Sequence, residues 1–241
     1  MEQTQALKII REMKGNYNLI ARDWDNSRVT PSPLKKNLLR PIRRGWRVLD
    51  LGCGNGFALP EVIRRGGKYF GLDYSRNLLA LARKKYAAEI KKGKAKFILA
   101  EATKLPFKDS SFDFVFSFAV AHHLPSAEKR LEFFKEIFRV LKKGGKAEAD
   151  AWNLLGEPFA KRFKVKERIA KQPAGFGPRD LYIPWKATAG KIIPRYFHIF
   201  TKKEIIALAK KAGFKKVRAD FFRRDGMKHN NGEALVAVGM K

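Results

Sequence analysis

Asp50-Leu51-Gly52-Cys53-Gly54-Asn55-Gly56 sets three glycines at alternate positions behind an acid. A short apolar run, residues 46–51, leads into it, and a helix-patterned run, residues 57–65, leads out. It is therefore a strand-to-helix turn. Glycine is required where a backbone turns sharply and comes close to a ligand. The dinucleotide-binding version of such a turn, G-x-G-x-x-G, needs a small third residue. Counting from Gly52 puts Phe57 there, and counting from Gly54 puts Leu59 there. That version is excluded.

Outward from the turn, strand and helix patterns alternate. Strands are predicted over residues 46–51, 68–72, 95–100, 112–118 and 146–152, with helices over 57–65, 78–90 and 127–142. The last helix is expected to stop at Gly144-Gly145. Short connections between β-α-β units predict a doubly wound α/β fold with a parallel sheet. Glu148 and Asp150 stand out, because a central parallel strand is normally apolar. Pairing with Lys or Arg of a neighbouring helix, or a less buried strand, would explain them.

On the N-terminal side, residues 1–40 read as two helical segments around a polar stretch. Leu7, Ile10 and Met13 carry the first, and Leu34, Leu38 and Leu39 the second, after Pro31-Ser32-Pro33. Residues 154–194 have weak periodicity and many basic side chains, and are expected to form an insertion that covers the site. Thr201-Lys202-Lys203-Glu204 is a capping box opening a helix that ends at Gly213. Strands at 217–222 and 234–238, joined by a polar turn, complete the chain.

The 241 residues hold 52 Lys+Arg against 23 Asp+Glu, a formal net charge of +29. Such self-repulsion favours a polyanionic partner, and nucleic acid fits better than a membrane surface because no helix pairs a strong apolar face with a basic one. The single cysteine excludes an internal disulfide framework and a Cys-based zinc site, so no metal is expected. No stretch reaches the roughly 20 apolar residues of a membrane helix, and residues 1–5 lack the order of a signal peptide. A cytoplasmic setting is the expectation.

One further acid sits where a nucleotide would need it. Asp73 closes the second strand in Gly71-Leu72-Asp73, about 20 residues beyond the first glycine, where an acid can accept ribose hydroxyls. Glu101-Ala102-Thr103-Lys104-Leu105-Pro106-Phe107 follows the third strand, and Ser111-Phe112-Asp113 opens the fourth.

With the D-x-G-x-G-x-G turn, these motifs resemble class I S-adenosylmethionine-dependent methyltransferases, in order, across residues 48–145. The resemblance implies a seven-stranded, mostly parallel, Rossmann-like sheet closed by a C-terminal antiparallel hairpin. It implies S-adenosylmethionine as cofactor, held by Asp50, Gly52, Gly54, Asn55, Gly56, Asp73, Tyr74, Glu101, Ala102 and Ser117. Four other stretches resemble the tRNA wobble-uridine carboxymethyl methyltransferases, namely the yeast enzyme and the methyltransferase domain of a human AlkB homologue. They are residues 20–28, ending in Ser27-Arg28; Ser117-Phe118-Ala119-Val120-Ala121-His122-His123; Asp180-Leu181-Tyr182-Ile183-Pro184-Trp185; and Arg195-Tyr196-Phe197-His198-Ile199-Phe200. Two places depart from that family. Its Pro-Trp is Pro31-Ser32 here, and its Trp-Ala-Leu-Glu-Gln is Trp152-Asn153-Leu154-Leu155-Gly156.

This narrower resemblance implies methyl esterification of a carboxymethyl group on the wobble uridine of a tRNA anticodon. Arg28, His122 and His123 would serve the reaction, with Arg28 binding the carboxylate bidentately. Arg28, Trp185, Arg195, Tyr196 and His198 would meet the substrate. The family's small zinc-binding activator subunit would add to the sheet edge at Lys94 to Ala100. The expected organisation is one domain: an N-terminal substrate-side extension (1–45), a cofactor-binding core (46–153), the basic insertion (154–194) and a closing segment (195–241). A quinone- or lipid-type methyltransferase, and a non-catalytic RNA-binding protein on the same fold, are the competing readings.

Overall fold

The computed structural model describes residues 1–157, 159–188, 190–229, 232 and 234–241. Its strands are β1 (Arg47–Leu51), β2 (Lys68–Asp73), β3 (Ala95–Leu99), β4 (Phe112–Phe118), β5 (Leu141–Trp152), β6 (Asp180–Lys186), β7 (Ile192–His198), β8 (Lys215–Phe222) and β9 (Ala234–Met240). The helices are α1 (Gln3–Leu19), α2 (Ala21–Ser27), α3 (Pro33–Leu38), α4 (Leu59–Arg64), α5 (Arg76–Lys85), α6 (Ala87–Lys91), α7 (Ala127–Val140), α8 (Phe159–Arg162), α9 (Val165–Ala170) and α10 (Lys202–Lys211). Seven strands form one sheet in the order β3-β2-β1-β4-β5-β9-β8. The first five are parallel, and β9 runs antiparallel to both β5 and β8. This is the expected seven-stranded, mostly parallel sheet with its closing hairpin.

Both faces of the parallel strands are covered, which is why β1 and β4 read as nearly continuous apolar runs. Val48, Phe114 and Phe116 pack under α3, α4 and α5 through Leu34, Leu59, Val62 and Leu79. Leu49, Leu51 and Val115 pack under α7 and α10 through Phe133, Ile137, Ile205 and Ala209. A third cluster joins α1 to β7 through Ile9, Met13, Tyr17, Ile193 and Tyr196.

Several expectations are corrected. The stretch at residues 17–28 is not a polar connection but the end of α1 and the whole of α2. Ala6, Ile9, Met13, Tyr17 and Ile20 are buried at helical spacing, and the charged residues among them lie on the other face. The helix expected at 78–90 breaks at Tyr86, whose ring turns in to stack on Phe97. The helix expected to reach Lys142 ends at Val140. Leu141 is already extended and pairs with Phe112, and Gly144, at φ +76°, absorbs the register shift that follows.

The supposed irregular insertion contains α8, α9 and a β6–β7 hairpin paired along its whole length. Pro184 and Pro194 hide it from a pattern reading, since proline normally marks a strand's absence. Here they oppose each other in register. Their missing N–H groups cost no ladder bond, because a two-stranded sheet has no third strand on that side. The division placed between residues 194 and 195 therefore cuts through β7.

The two acids of β5 have different fates. Asp150 accepts the Ala119 N–H at 2.6 Å, while Glu148 is buried with its Oε2 unpaired. The capping box is half formed. Thr201 Oγ1 accepts the Glu204 N–H at 3.1 Å, but the Glu204 carboxylate turns away to His198. The β3 edge is paired only with β2; along it Phe97 is buried under Tyr69 and Tyr86, leaving Leu99 as its exposed apolar side chain. In the polar connection before β9, Asn230, Asn231 and Glu233 lie outside the described residues. Among the described residues no helix is long and apolar enough to cross a membrane.

Candidate active site

The glycine turn sits at the carboxyl ends of β1 and β2, where open α/β sheets place their ligands. Gly52, Gly54 and Gly56 have φ of +79°, +54° and +73°, the left-handed region that side chains resist. Gly52 and Cys53 N–H both donate to Leu72 O, and Gly54 N–H donates to Asp73 Oδ2 at 2.8 Å. Any Cβ on Gly52 would strike Val120, and one on Gly54 would lie 3.1 Å from Trp24 Nε1. The turn is thus pulled onto β2, with its backbone open to a cavity on the other side.

That cavity encloses about 790 Å³ of space continuous with solvent. Its walls include Gly52, Gly54, Asp73, Tyr74, Glu101, Ala102 and His123 of the residues expected from sequence. Ile10, Met13, Tyr17 and Trp24 of α1 and α2 roof it, so the N-terminal extension covers this site as well as the substrate side. Asn18 fastens the roof: its Oδ1 accepts Ser75 Oγ–H at 2.8 Å and Asn77 N–H at 3.1 Å. Asp73 accepts one N–H on each oxygen, from Gly54 and Ser75. Each oxygen keeps acceptor capacity for a hydroxyl. Burial pushes this carboxyl up to about 6.

A second cavity adjoins the first and shares Trp24, Gly52, Gly54, Phe118 and Ala119 with it. It is lined by three cations, Arg28, Lys35 and Arg224, and by the rings of Trp24, Phe57, Phe118, Trp152 and Phe159. Asp150 is its single acid among the described residues. Ala119 between the two cavities holds φ +62°, a strained conformation for alanine. Asp150 pins it there through the Ala119 N–H.

Several expected residues do not line either cavity but hold its walls. Asp50 is 2 % exposed and accepts the Tyr69 hydroxyl at 2.6 Å, with its carboxyl pushed up to about 7 by burial. Asn55 donates to Asp25 Oδ1 and to Arg28 O, fixing the end of α2 against the glycine turn. Ser117 donates to Leu51 O, and Gly56 lies against Phe97 and Tyr86, where a Cβ would not fit. Trp185 lies 5.8 Å from Trp24 on the outer side of the second cavity, and Arg195 stacks over Trp185 at 4.9 Å.

The two histidines separate clearly. His122 is buried, stacked on Phe197, and accepts the Trp152 N–H on Nδ1 at 3.1 Å. His123 faces the first cavity. Its Nδ1 lies 2.7 Å from Tyr196 O, which can only accept, so Nδ1 carries the proton and Nε2 accepts the Tyr17 hydroxyl at 2.7 Å. Burial lowers His122 well below the usual imidazole range and takes His123 to about 3. Both are neutral, and His123 has no free ring nitrogen.

Tyr196 and His198 are not anticodon contacts in this arrangement. Tyr196 is fully buried and donates to Asp180 Oδ1. His198 lies between Asp180 Oδ1 at 2.7 Å and Glu204 Oε1 at 2.8 Å, tying the hairpin to α10. Burial alone would raise both acids, but these hydrogen bonds hold Asp180 and Glu204 below their ordinary values. Sequence reasoning assigned no role to Tyr17, Trp24, Lys35, Asp150 or Arg224. The mixture of aromatic and charged residues in 17–28 is a signal for the first two. Lys35 and Arg224 carry none, being basic residues among many.

The sheet order, the glycine turn and the acid closing β2 define a class I, S-adenosylmethionine-dependent methyltransferase. The comparisons agree. A methyltransferase domain family model matches residues 49–148. A protein of Encephalitozoon cuniculi named as a methyltransferase is 34% identical over 170 residues, 70% of each chain. The chain belongs to the methyltransferase family. A tRNA (carboxymethyluridine(34)-5-O)-methyltransferase of Schizosaccharomyces pombe is 26% identical over 216 residues, covering 82% of this chain and 86% of that one. A demethylmenaquinone methyltransferase of Lactococcus lactis is 37% identical over 140 residues, 54% of each. Among solved structures, a Pyrococcus horikoshii protein superposes with a TM-score of 0.66 at 24% identity, covering 86% of this chain and 88% of that one. A methyltransferase in complex with the Haloferax volcanii Trm112 methyltransferase activator superposes with 0.65 at 20% identity, covering 95% and 96%.

The first cavity fits S-adenosylmethionine chemically. Asp73 offers acceptors for a ribose diol, Glu101 and Ala102 stand at the rim for an adenine, and the open backbone of Gly52 and Gly54 admits a close approach. Trp24 Nε1 is buried, has no partner, and points at the turn. Such an orphaned donor is expected to be satisfied by a ligand.

Proposed function

We propose that this methyltransferase esterifies a carboxymethyl group on the wobble uridine of a tRNA anticodon. The observation that carries the reading is the second cavity: flat aromatic walls and three cations, sharing a wall with the donor cavity. That lining suits a planar base bearing a negative charge. The curated relatives named for this reaction, and the +29 net charge, support the same substrate.

Bound S-adenosylmethionine supplies an electrophilic methyl; transfer forms a C–O bond to the acceptor carboxylate and breaks the S–C bond, leaving a neutral thioether. A carboxylate is ionised at neutral pH, so no strong base is needed. The residues' work is positioning and exclusion of water. Trp24 and Phe118 separate donor from acceptor, α1 and α2 close the donor side, and Asn55 fixes the backbone of Arg28. Tyr17 and His123 stay neutral in the wall of the donor cavity, bonded to each other. Lys and Arg of α8 and α9 would meet tRNA phosphates, which position the RNA without reading its sequence. The same reading places an activator subunit on the β3 edge by strand addition.

The test is nucleoside mass spectrometry of tRNA from a strain lacking the gene. Accumulation of the free-acid wobble uridine is expected, and wobble uridines unchanged from wild type would overturn the assignment. The menaquinone-type relative favours a second reading, a small aromatic acceptor in the same cavity. Unchanged tRNA with an altered quinone pool would select it.

A further inference from the structure

Of the three cations in the acceptor cavity, Lys35 is the one packed against two of the rings that line it. It stands on α3, whose Leu34 and Leu38 are buried in the core on either side of it. Its Nζ lies 5.0 Å from the ring centroid of Phe57 and 5.0 Å from that of Phe118. Phe57 follows the glycine turn, and the Phe118 ring lines both cavities. The ammonium is therefore held at the junction of donor and acceptor by two aromatic faces that contribute no hydrogen-bond acceptor. Among the described residues no carboxylate oxygen lies within 4.0 Å of it. Asp150, its strongest attraction, is engaged with the Ala119 N–H.

Arg28 is differently placed. Its guanidinium lies 4.7 Å over Trp24 and donates from Nη1 to Ser27 O at 3.1 Å. A half-buried ammonium that faces a cavity, with no protein acceptor on its three donors among the described residues, is a ready site for an anion. We propose that Lys35 is the acceptor-selecting residue: its ammonium binds the negatively charged group of the acceptor and rejects a neutral isostere. The acceptor class is a planar aromatic ring carrying a short carboxylate arm. This rests on the proposed reading for the RNA source of that acceptor, but the charge selection stands independently of it.

Four ligands and two variants separate these points. The RNA pair is an anticodon stem-loop bearing 5-carboxymethyluridine at the wobble position and its 5-carbamoylmethyl counterpart. The free pair is phenylacetate and phenylacetamide. Binding is measured by calorimetry to the full chain, saturated with S-adenosylhomocysteine. The wild type is expected to prefer the carboxylate member of a pair by about 10- to 100-fold, the range of a hydrogen bond to a charged group. Lys35→Met abolishes that preference, Lys35→Arg keeps most of it, and S-adenosylhomocysteine affinity is the same in all three proteins. That last readout shows that the variants are folded. A preference seen with the free pair alone upholds Lys35 and removes the RNA reading. A preference that survives Lys35→Met within twofold overturns the proposal, as does a wild type that shows none with either pair.

Discussion

Glu148→Gln should stabilise the fold increasingly as pH rises above 5, because Glu148 is a buried acid. It lies in β5 between Phe116 of β4 and Val238 of β9, 6 % exposed, with Oε2 unpaired. Burial pushes its carboxyl from 4.5 up to about 8, and Lys146 offsets only part of the effect. The folded value lies above the unfolded one. Its contribution to stability is therefore fully present below pH 4.5 and is lost as pH rises through 8. With each pH unit worth about 1.4 kcal/mol in that window, the fold loses about 4 kcal/mol through this one group between pH 5 and pH 8. Glu148→Gln carries no charge at any pH and removes that loss. Urea denaturation of both proteins at pH 5, 6, 7 and 8 should show the variant gaining on the wild type steadily, by about 4 kcal/mol at the alkaline end. Parallel stability profiles would refute the reasoning, because they would mean that Glu148 is solvated or paired in the folded protein.

Three other outcomes follow from the donor cavity. Gly52→Ala forces a side chain into Val120 at φ +79°, and should weaken S-adenosylmethionine binding at least tenfold by calorimetry while leaving the circular dichroism spectrum unchanged. Asp73 must be ionised to accept ribose hydroxyls, so cofactor affinity should fall as pH drops through about 6; a flat profile from pH 5 to 8 would contradict its role. Tyr17→Phe removes the donor to His123 Nε2 and leaves a part-buried acceptor unpaired, which should cost about 1–3 kcal/mol of unfolding free energy in urea; no change would mean the hydrogen bond is not formed.

The parallel core was legible because its signals are local. Apolar runs bounded by glycine place β1, β2 and β4 to within a residue or two, and the acid at the end of β2 identifies the ligand side. The roof was not legible, since its apolar stripe from Ala6 to Ile20 shares a helix with enough charge to read as surface. The β6–β7 hairpin was hidden by Pro184 and Pro194, which are harmless because their missing N–H groups lie on a side with no third strand. In the site, the glycine turn and Asp73 carried their own evidence. His122, Tyr196 and His198 did not, because sequence cannot distinguish a buried hydrogen-bonded side chain from one facing a ligand. Lys35 shows the converse. In a chain with 52 basic residues, only three dimensions reveal which ammonium lies between two phenylalanines, with no ion pair among the described residues.

The central claim is that a methyl donor and an anionic anticodon acceptor meet across Trp24 and Phe118. Transfer of tritium from labelled S-adenosylmethionine to an anticodon stem-loop bearing 5-carboxymethyluridine, by the purified chain with and without an activator subunit, tests it most directly. Label is expected in that RNA alone, released as methanol by mild base because the product is an ester. Label that resists base, label on an RNA without the carboxymethyl group, or no transfer in either form of the enzyme would contradict it.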